Sequence, residues 1–162
     1  MPARVHAEMT GVKETIKSLR QIDPDLRKQF TKDARVIAQP IIDDARNRYD
    51  ETFLSGMKRQ WLQNGSPKFP YTQQAAKKGV KFKVDTRKKS GTAIKIQQTD
   101  VAASIIEVAG KKRANKLGNA LNRYGEPSRF LWRAAEAKID QVTRQMTVLI
   151  EQVTDRVNRE LK

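Results

Sequence analysis

The chain has 162 residues and a formal net charge of +15, with 31% charged and 38% hydrophobic residues. This length favours one domain with a modest core, and the hydrophobic share is low for a compact globule. It has no cysteine, which excludes disulfides and thiolate metal sites. No apolar run approaches the roughly 20 residues of a membrane span, and the first residues lack the apolar core of a signal peptide. We therefore expect a cytosolic protein with no membrane partner.

The positive charge is concentrated in the middle of the chain. Residues 55–118 contain fifteen Lys or Arg residues and three acidic residues. Such an excess indicates an acidic partner, either a nucleic acid or an acidic protein surface. A basic surface that is only solvated is the alternative.

The N-terminal part predicts a short strand followed by a long helix. Apolar and polar residues alternate over 4–10, which is typical of an edge strand, although Thr10 fits the N-cap of a short helix equally well. Asp23 and Pro24 form a helix start, because Pro is favoured at the first helical position. The apolar residues that follow recur every three or four positions: Leu26, Phe30, Ala34, Ile37, Ile41, Ala45 and Tyr49. Since this stripe keeps its phase across Pro40, we predict one bent helix over 24–51.

Residues 55–78 show no periodicity and are interrupted by two glycines and two prolines. This predicts a long loop, a kind of segment that is usually functional or disordered in a compact domain. Its aromatic residues are Trp61, Phe69 and Tyr71. We consider two roles for them: fixing the loop to its own or a neighbouring surface, or stacking on nucleic-acid bases.

Residues 79–108 predict a three-stranded antiparallel meander with strands near 80–84, 93–97 and 101–108. Lysines alternate with apolar residues in the first two strands, so we expect one apolar face and one lysine-rich face. Further cations lie in the turn between the first two strands and in the basic loop over 109–122. The predicted basic patch consists of Lys81, Lys83, Arg87, Lys88, Lys89, Lys95, Lys111 and Lys112.

The last third of the chain predicts a second long helix. Ser128 is a candidate N-cap, and no Gly or Pro follows it. Apolar residues from Leu131 to Leu161 form one stripe, which predicts a helix over 129–160 about 48 Å long. A helix of this length crosses the whole protomer or contacts another one.

These elements predict an α+β fold in which two long α-helices pack on a small antiparallel β-meander, with long loops. The expected single domain, 1–162, comprises an N-terminal helical part (1–54), the loop and meander (55–118) and the C-terminal helix (128–162).

The sequence contains no residue set typical of an active site. His6 is its single histidine, and the adjacent Asp43 and Asp44 project about 100° apart on a helix, so they do not converge on a metal. No phosphate-binding or dinucleotide-binding glycine motif occurs. We therefore expect a protein that is not an enzyme and that has no cofactor or metal.

Two short segments carry a resemblance to a known family. The first is Ile106-Glu107-Val108-Ala109-Gly110, and the second is Pro127-Ser128-Arg129-Phe130-Leu131-Trp132-Arg133-Ala134. With the order of the predicted elements, they resemble the tail-component or neck family of long-tailed bacteriophages, the minor tail protein Z-like group. The first segment has one residue more than the family pattern, and the loop over 55–78 is longer than expected.

The resemblance implies a structural virion protein of the head-to-tail connector, which acts in tail completion and head–tail joining. It implies a homo-oligomeric ring around the DNA channel, with a hexamer expected and a dodecamer as the alternative. Its partners would be adjacent connector rings, such as a stopper or adaptor ring and the tail terminator. The implied location is the neck or tail of the virion, and the host cytoplasm during assembly.

The subunit or ring contacts that we predict are Trp61, Phe69, Tyr71, Arg113, Arg129 and Phe130. For the basic patch we consider two partners: an acidic surface of an adjacent ring, which we favour, and DNA in the channel, bound without sequence preference. A free-standing basic nucleic-acid-binding protein is the alternative function.

Overall fold

The structure, a computed structural model, describes residues 4–5, 15–17, 19, 23–49, 62–63, 66–67, 71–84, 94–110, 116–122 and 124–160. Within these ranges two helices are long, α1 (Pro24–Asn47) and α5 (Leu131–Glu160). The shorter ones are α2 (Gln73–Gly79), α3 (Val101–Val108) and α4 (Lys116–Asn122). The strands are β1 (Arg4–Val5), β2 (Leu62–Gln63), β3 (Ser66–Pro67), β4 (Val80–Val84) and β5 (Ile94–Gln98). A mixed α+β fold with two long helices is therefore confirmed.

Helix α1 begins where the sequence predicts. The Asp23 carboxylate accepts hydrogen bonds from the backbone N–H groups of Asp25 at 2.8 Å and Leu26 at 3.1 Å, as an N-cap does. The helix continues through Pro40 and ends at Asn47, four residues before the predicted end. Its buried residues follow the predicted stripe closely: Leu26, Phe30, Ala34, Ala38, Ile41, Ile42 and Ala45.

Helix α5 packs along α1, and this is the largest contact between two elements among the described residues. At 1.5 Å per residue, its 30 residues extend for about 45 Å. The buried positions repeat every three or four residues through the second half of the helix: Val142, Met146, Leu149 and Val153. Met146, Leu149 and Val153 form one core cluster with residues of α1 and with Ile16 and Leu19. A second cluster surrounds Tyr49, Ile106 and Leu131.

Replacing Leu149 by Ala is expected to lower the free energy of unfolding by about 2–5 kcal/mol, because the side chain is buried against α1 and truncation leaves a cavity. Urea denaturation measures the change. Gln152→Ala, one turn along the same helix and exposed, is the control with an expected change below about 0.5 kcal/mol. Equal stability of the two variants would contradict this packing.

Strands β1, β5 and β4 form an antiparallel sheet in that order. The β4–β5 register pairs Phe82 with Ile96 and Val84 with Ile94. These four side chains pack on the two core clusters and therefore face the helices. The predicted edge strand near the N-terminus is confirmed for Arg4–Val5, the part of it that the structure describes.

The predicted third strand of the meander is wrong, because residues 101–108 form helix α3. The Asp100 carboxylate caps this helix by accepting the Ala103 N–H at 2.8 Å. Ala102, Ala103 and Ile106 are buried, whereas Val101 and Ile105 are exposed, which is a helical spacing. A short apolar run does not distinguish a strand from a buried helix by periodicity alone.

Two predicted loops contain helices. Helix α2 lies in the segment predicted as a loop over 55–78, and Thr72 caps it by accepting the Ala75 N–H. Helix α4 lies in the loop predicted over 109–122. The N-cap prediction for Ser128 is also wrong, because this residue has a φ of 75° and α5 begins at Leu131.

Candidate interaction surfaces

A buried cluster of charged and backbone groups joins the end of α3 to the start of α5. The Glu107 side chain is 3% exposed and accepts hydrogen bonds from the backbone N–H groups of Phe130 at 3.0 Å and Trp132 at 3.3 Å. The first N–H groups of a helix have no partner inside it. Glu107 therefore caps α5 from another helix, and its negative charge lies at the positive end of the helix dipole.

Arg129 supplies the opposite contact. Its guanidinium Nη1 donates to the carbonyl oxygens of Ile106 at 2.6 Å and Ala109 at 2.8 Å. These carbonyls belong to the end of α3, where cations are favoured. The Ser128 N–H also donates to the Glu107 carbonyl oxygen at 2.6 Å. Glu107, Arg129 and the backbone groups that they bind are called the helix-end cluster below.

Close packing surrounds the Arg129 guanidinium. Gly110 has a φ of 109°, and a Cβ at this residue would lie 2.9 Å from Arg129 Nη2. Arg129 Nε and Nη2 are buried without a hydrogen-bond partner. The negative charge of Glu107 favours the charged form of the guanidinium. Gly110 thus has both the backbone conformation and the missing side chain that this arrangement requires.

Burial raises the pKa of the Glu107 carboxyl above its ordinary value. The backbone N–H groups of Trp132, Phe130 and Leu131 and the charge of Arg129 act in the opposite direction but are outweighed. Burial likewise lowers the pKa of the Arg129 guanidinium, and the charge of Glu107 opposes this shift. Arg129 remains protonated, because a guanidinium does not lose its proton in proteins.

A second buried network orients the start of α3. The Gln98 side chain is fully buried, and its Nε2 donates to Tyr49 Oη at 3.0 Å and to the Ala76 carbonyl oxygen at 2.9 Å. Its Oε1 accepts from the Asp100 N–H at 2.8 Å. The Tyr49 ring packs on Phe130, with 4.7 Å between centroids. Burial raises the pKa of the Tyr49 hydroxyl, which keeps it protonated. Both networks fix α3 between the sheet and α5.

The first exposed surface is an apolar groove of about 630 Å³ between α1 and α5. Val36 and Val148 lie in it with 64% and 49% of their surface exposed. Exposed apolar surface with a polar rim is typical of a protein contact site. The residues that line this apolar groove are Asp33, Val36, Ile37, Pro40, Gln141, Arg144, Gln145, Val148, Leu149 and Gln152.

The second exposed surface is the outer side of α3. Val101, Ile105 and Val108 are 72%, 36% and 49% exposed, and their spacing of four and three residues places them on one side of the helix. This α3 ridge lies near the start of α5, where Trp132 is 41% exposed. The apolar groove begins at Gln141, nine residues or about 13 Å further along α5. The two apolar surfaces are therefore separate.

The third surface is the outer face of the sheet. Lys81 and Lys83 are exposed on β4, and Lys95 is half-buried on β5 directly opposite Lys83. The neighbours of these residues along each strand point to the helices. Lys81, Lys83 and Lys95, called the lysine face below, thus share one side of the sheet, as their alternation predicts.

The structure places three of the six predicted contact residues. Tyr71 is half-buried and packs on the core cluster around Tyr49. Arg129 and Phe130 are only 3% and 7% exposed. Their prediction as subunit contacts is corrected, because both side chains are used inside the protomer.

The remaining predicted site residues lie outside the described residues. They are Trp61, Phe69, Arg87, Lys88, Lys89, Lys111, Lys112 and Arg113. For these residues the predictions stay as they were made.

The sequence alone gives Glu107 no role and does not single out Gln98. A signal was present for Glu107, since it is the one acid in the apolar run 101–109. Arg129 likewise directly precedes three apolar residues. Opposite charges inside two apolar segments indicate a buried pair.

No family model, no characterised protein and no solved structure matches the chain significantly. Among the described helices, none combines the length and the apolar character that crossing a membrane requires. The function is therefore inferred from the residues and their geometry.

Proposed function

We propose that the chain is a structural subunit of a long-tailed phage virion and forms a ring in the head-to-tail connector. The observation that carries the proposal is that the two segments behind the family resemblance, 106–110 and 127–134, meet in the helix-end cluster. Glu107 of the first segment caps the helix that the second segment begins, and Arg129 of the second binds the carbonyls of the first.

This contact supports the proposal because it joins the two segments. The two segments are about twenty residues apart, and each supplies the charged side chain that satisfies the other's helix end. A replacement in either segment would leave a buried charge in the other without compensation. The two matches are thus parts of one structural feature, which is the behaviour expected of a motif that determines a fold.

The exposed apolar surfaces support a head-to-tail assembly. The apolar groove and the α3 ridge are different apolar surfaces of one protomer. A contact between the groove of one copy and the ridge of the next is heterologous, and such contacts close into a ring when the rotation between copies permits. Val101, Val148 and Val36 are exposed in the single chain, and such a contact would cover them with a neighbouring copy.

Replacing Val148 by Asp is expected to weaken self-association by about tenfold or more, because a carboxylate would be buried in an apolar contact. The melting temperature of the monomer should stay almost unchanged, since Val148 is half-exposed. Sedimentation velocity over a concentration series measures the effect. Asn158→Asp, an exposed position of the same helix outside the groove, is the control for the added charge. Equal association of both variants would exclude the groove as a subunit contact.

Electron microscopy tests the function itself. Negative staining of the concentrated protein should show closed rings with a central opening. Gold-labelled antibodies against the chain should mark the junction of head and tail on particles from the host that carries the gene. Particles without label at that junction would overturn the proposal.

The lysine face favours one second candidate, a free-standing nucleic-acid-binding protein. A monomer that binds duplex DNA at micromolar concentration or better, with a steep salt dependence and without forming rings, would support this alternative. Rings combined with weak DNA binding by the single chain would support the connector subunit.

A further inference from the structure

The register of the sheet places the charges of the lysine face close together. Lys83 pairs directly with Lys95, and Lys81 pairs with Gln97. Paired residues point to the same side of a sheet, with Cβ atoms about 5 Å apart. These four residues are the outward-pointing ones between Lys81 and Gln97 on the described parts of β4 and β5, and none of them is acidic.

Like charges directly opposite each other in a sheet are destabilising. The placement of Lys83 directly opposite Lys95 therefore favours an anion bound between these strands. Two further cations, Lys77 and Lys78, lie in the last turn of α2 immediately before β4. The positive charge thus continues beyond the strands.

The charge of the lysine face would suit either an acidic protein or a nucleic acid, and its composition favours the nucleic acid. Protein interfaces have a desolvated core that is depleted in Lys and enriched in aromatic residues and Met. The apolar side chains of β4 and β5, among them Phe82 and Ile96, face the helices instead. An acidic protein would find no apolar surface here, whereas phosphate groups need only cations and hydrogen-bond donors.

The spacing of the lysines also suits a phosphate backbone. Lys81 and Lys83 are two residues apart on one strand, which corresponds to about 6.7 Å. The flexible stems of lysine side chains let their ammonium groups reach neighbouring phosphates from such positions. Adjacent β-strands are about 4.8 Å apart, so Lys95 adds a third cation within reach of the same backbone.

We propose that the lysine face binds the phosphate backbone of duplex DNA without reading its sequence. Lysine acts here as a point charge that replaces condensed counterions. The phosphate chemistry rests on the geometry of the sheet, and the choice of DNA rests on the proposed function. In a ring each protomer would present the same face, so contacts that are weak singly would add up by multivalency.

The expected salt dependence of the DNA affinity follows from the release of counterions. Three lysine–phosphate contacts contribute a slope of about −2.7 to the dependence of log affinity on log salt concentration. Between 50 and 200 mM salt, this share of the affinity falls by about 40-fold. Other cations of the chain contribute to the total slope, so the change caused by a variant is the informative quantity.

The test compares two triple variants of the full chain with equal net charge. Lys81→Gln, Lys83→Gln and Lys95→Gln remove the lysine face, whereas Lys17→Gln, Lys32→Gln and Lys138→Gln remove lysines from helical segments. Fluorescence anisotropy with a random-sequence duplex of about 30 base pairs gives the affinity at several salt concentrations. We expect the first variant to lose about 2.7 of the salt slope and the second to lose much less.

Equal losses in both variants would overturn the proposal, because general charge would then explain the binding. Unchanged DNA binding by the lysine-face variant would overturn it as well, and reduced binding of this variant to polyglutamate would then identify an acidic protein as the partner. Tighter binding of an RNA duplex of the same length would overturn the choice of DNA. Circular dichroism confirms that both variants fold. Electron microscopy of both variants separates a failure to form rings, which would count against the proposed function, from a failure to bind DNA.

Discussion

Replacing Arg129 by Ala is expected to lower the free energy of unfolding by about 3–5 kcal/mol. The side chain is 3% exposed, and its Nη1 binds the last carbonyls of α3 at 2.6 and 2.8 Å. Truncation would leave these carbonyls without a cap and the buried Glu107 carboxylate without its nearby positive charge. Chemical denaturation followed by circular dichroism measures the loss.

The matched control is Arg133→Ala, which removes the same side chain from an exposed position on the first turns of α5. A change within about 0.5 kcal/mol is expected there. Glu107→Ala should be as damaging as Arg129→Ala, and the double variant should cost less than the sum of both, because the two side chains belong to one network. Additive effects would show that the two side chains act independently. Similar stability of the Arg129 and Arg133 variants would show that the helix-end cluster contributes little.

The sequence predicts the long helices well because their signals are local and repeated. Asp23 and Pro24 mark the start of α1, and one stripe from Leu26 to Ala45 marks its buried side. The alternation of Lys81 and Lys83 with apolar residues likewise predicts the two sides of the sheet. Each of these signals depends on residues that are close together in the sequence and belong to the same helix or strand.

The sequence predicts a strand in place of helix α3 because the helical signals of this segment are weak when it is considered alone. The run from Val101 to Val108 is short and apolar, and β-branched residues at both ends favour a strand. What decides the structure is the Asp100 cap together with the burial of Ala102, Ala103 and Ile106 against elements from elsewhere in the chain. Tertiary packing overrides local propensity in such segments.

Among the candidate interaction surfaces, one is likewise predicted from local sequence signals and another depends on tertiary packing. The lysine face follows from alternation within two strands, whereas the apolar groove requires knowledge of how α1 and α5 pack. The sequence predicts Arg129 and Phe130 as subunit contacts. In the structure the residues that precede α5 fold back on α3, so both side chains are buried.

Replacing Gly79 by Ala is expected to lower the free energy of unfolding by about 2–5 kcal/mol. A Cβ at Gly79 would lie 1.8 Å from Gln98 Oε1 and 2.9 Å from the Asp100 backbone nitrogen. The Gln98 amide cannot move away without losing its bonds to Tyr49 and Ala76, and these partners are buried. Overpacking and broken buried hydrogen bonds each cost about 1–3 kcal/mol.

The higher helix propensity of alanine opposes this destabilisation. Alanine is favoured over glycine inside a helix by about 0.5–1 kcal/mol, and Gly79 is the last residue of α2. The clash exceeds this gain, so the net change is expected to be a destabilisation. Lys78→Ala, at the exposed neighbouring position, should change the stability by less than about 0.5 kcal/mol.

A double-mutant cycle identifies the cause of the loss. In a Gln98→Ala background the amide is absent, and the Cβ of Ala at position 79 gains space. Adding Gly79→Ala to that background should therefore cost at least about 1 kcal/mol less than it does in the natural chain. The same cost in both backgrounds would mean that Gly79 is required by its backbone and not by its contact with Gln98. The network that fixes the start of α3, and with it the α3 ridge, would then not depend on this close approach.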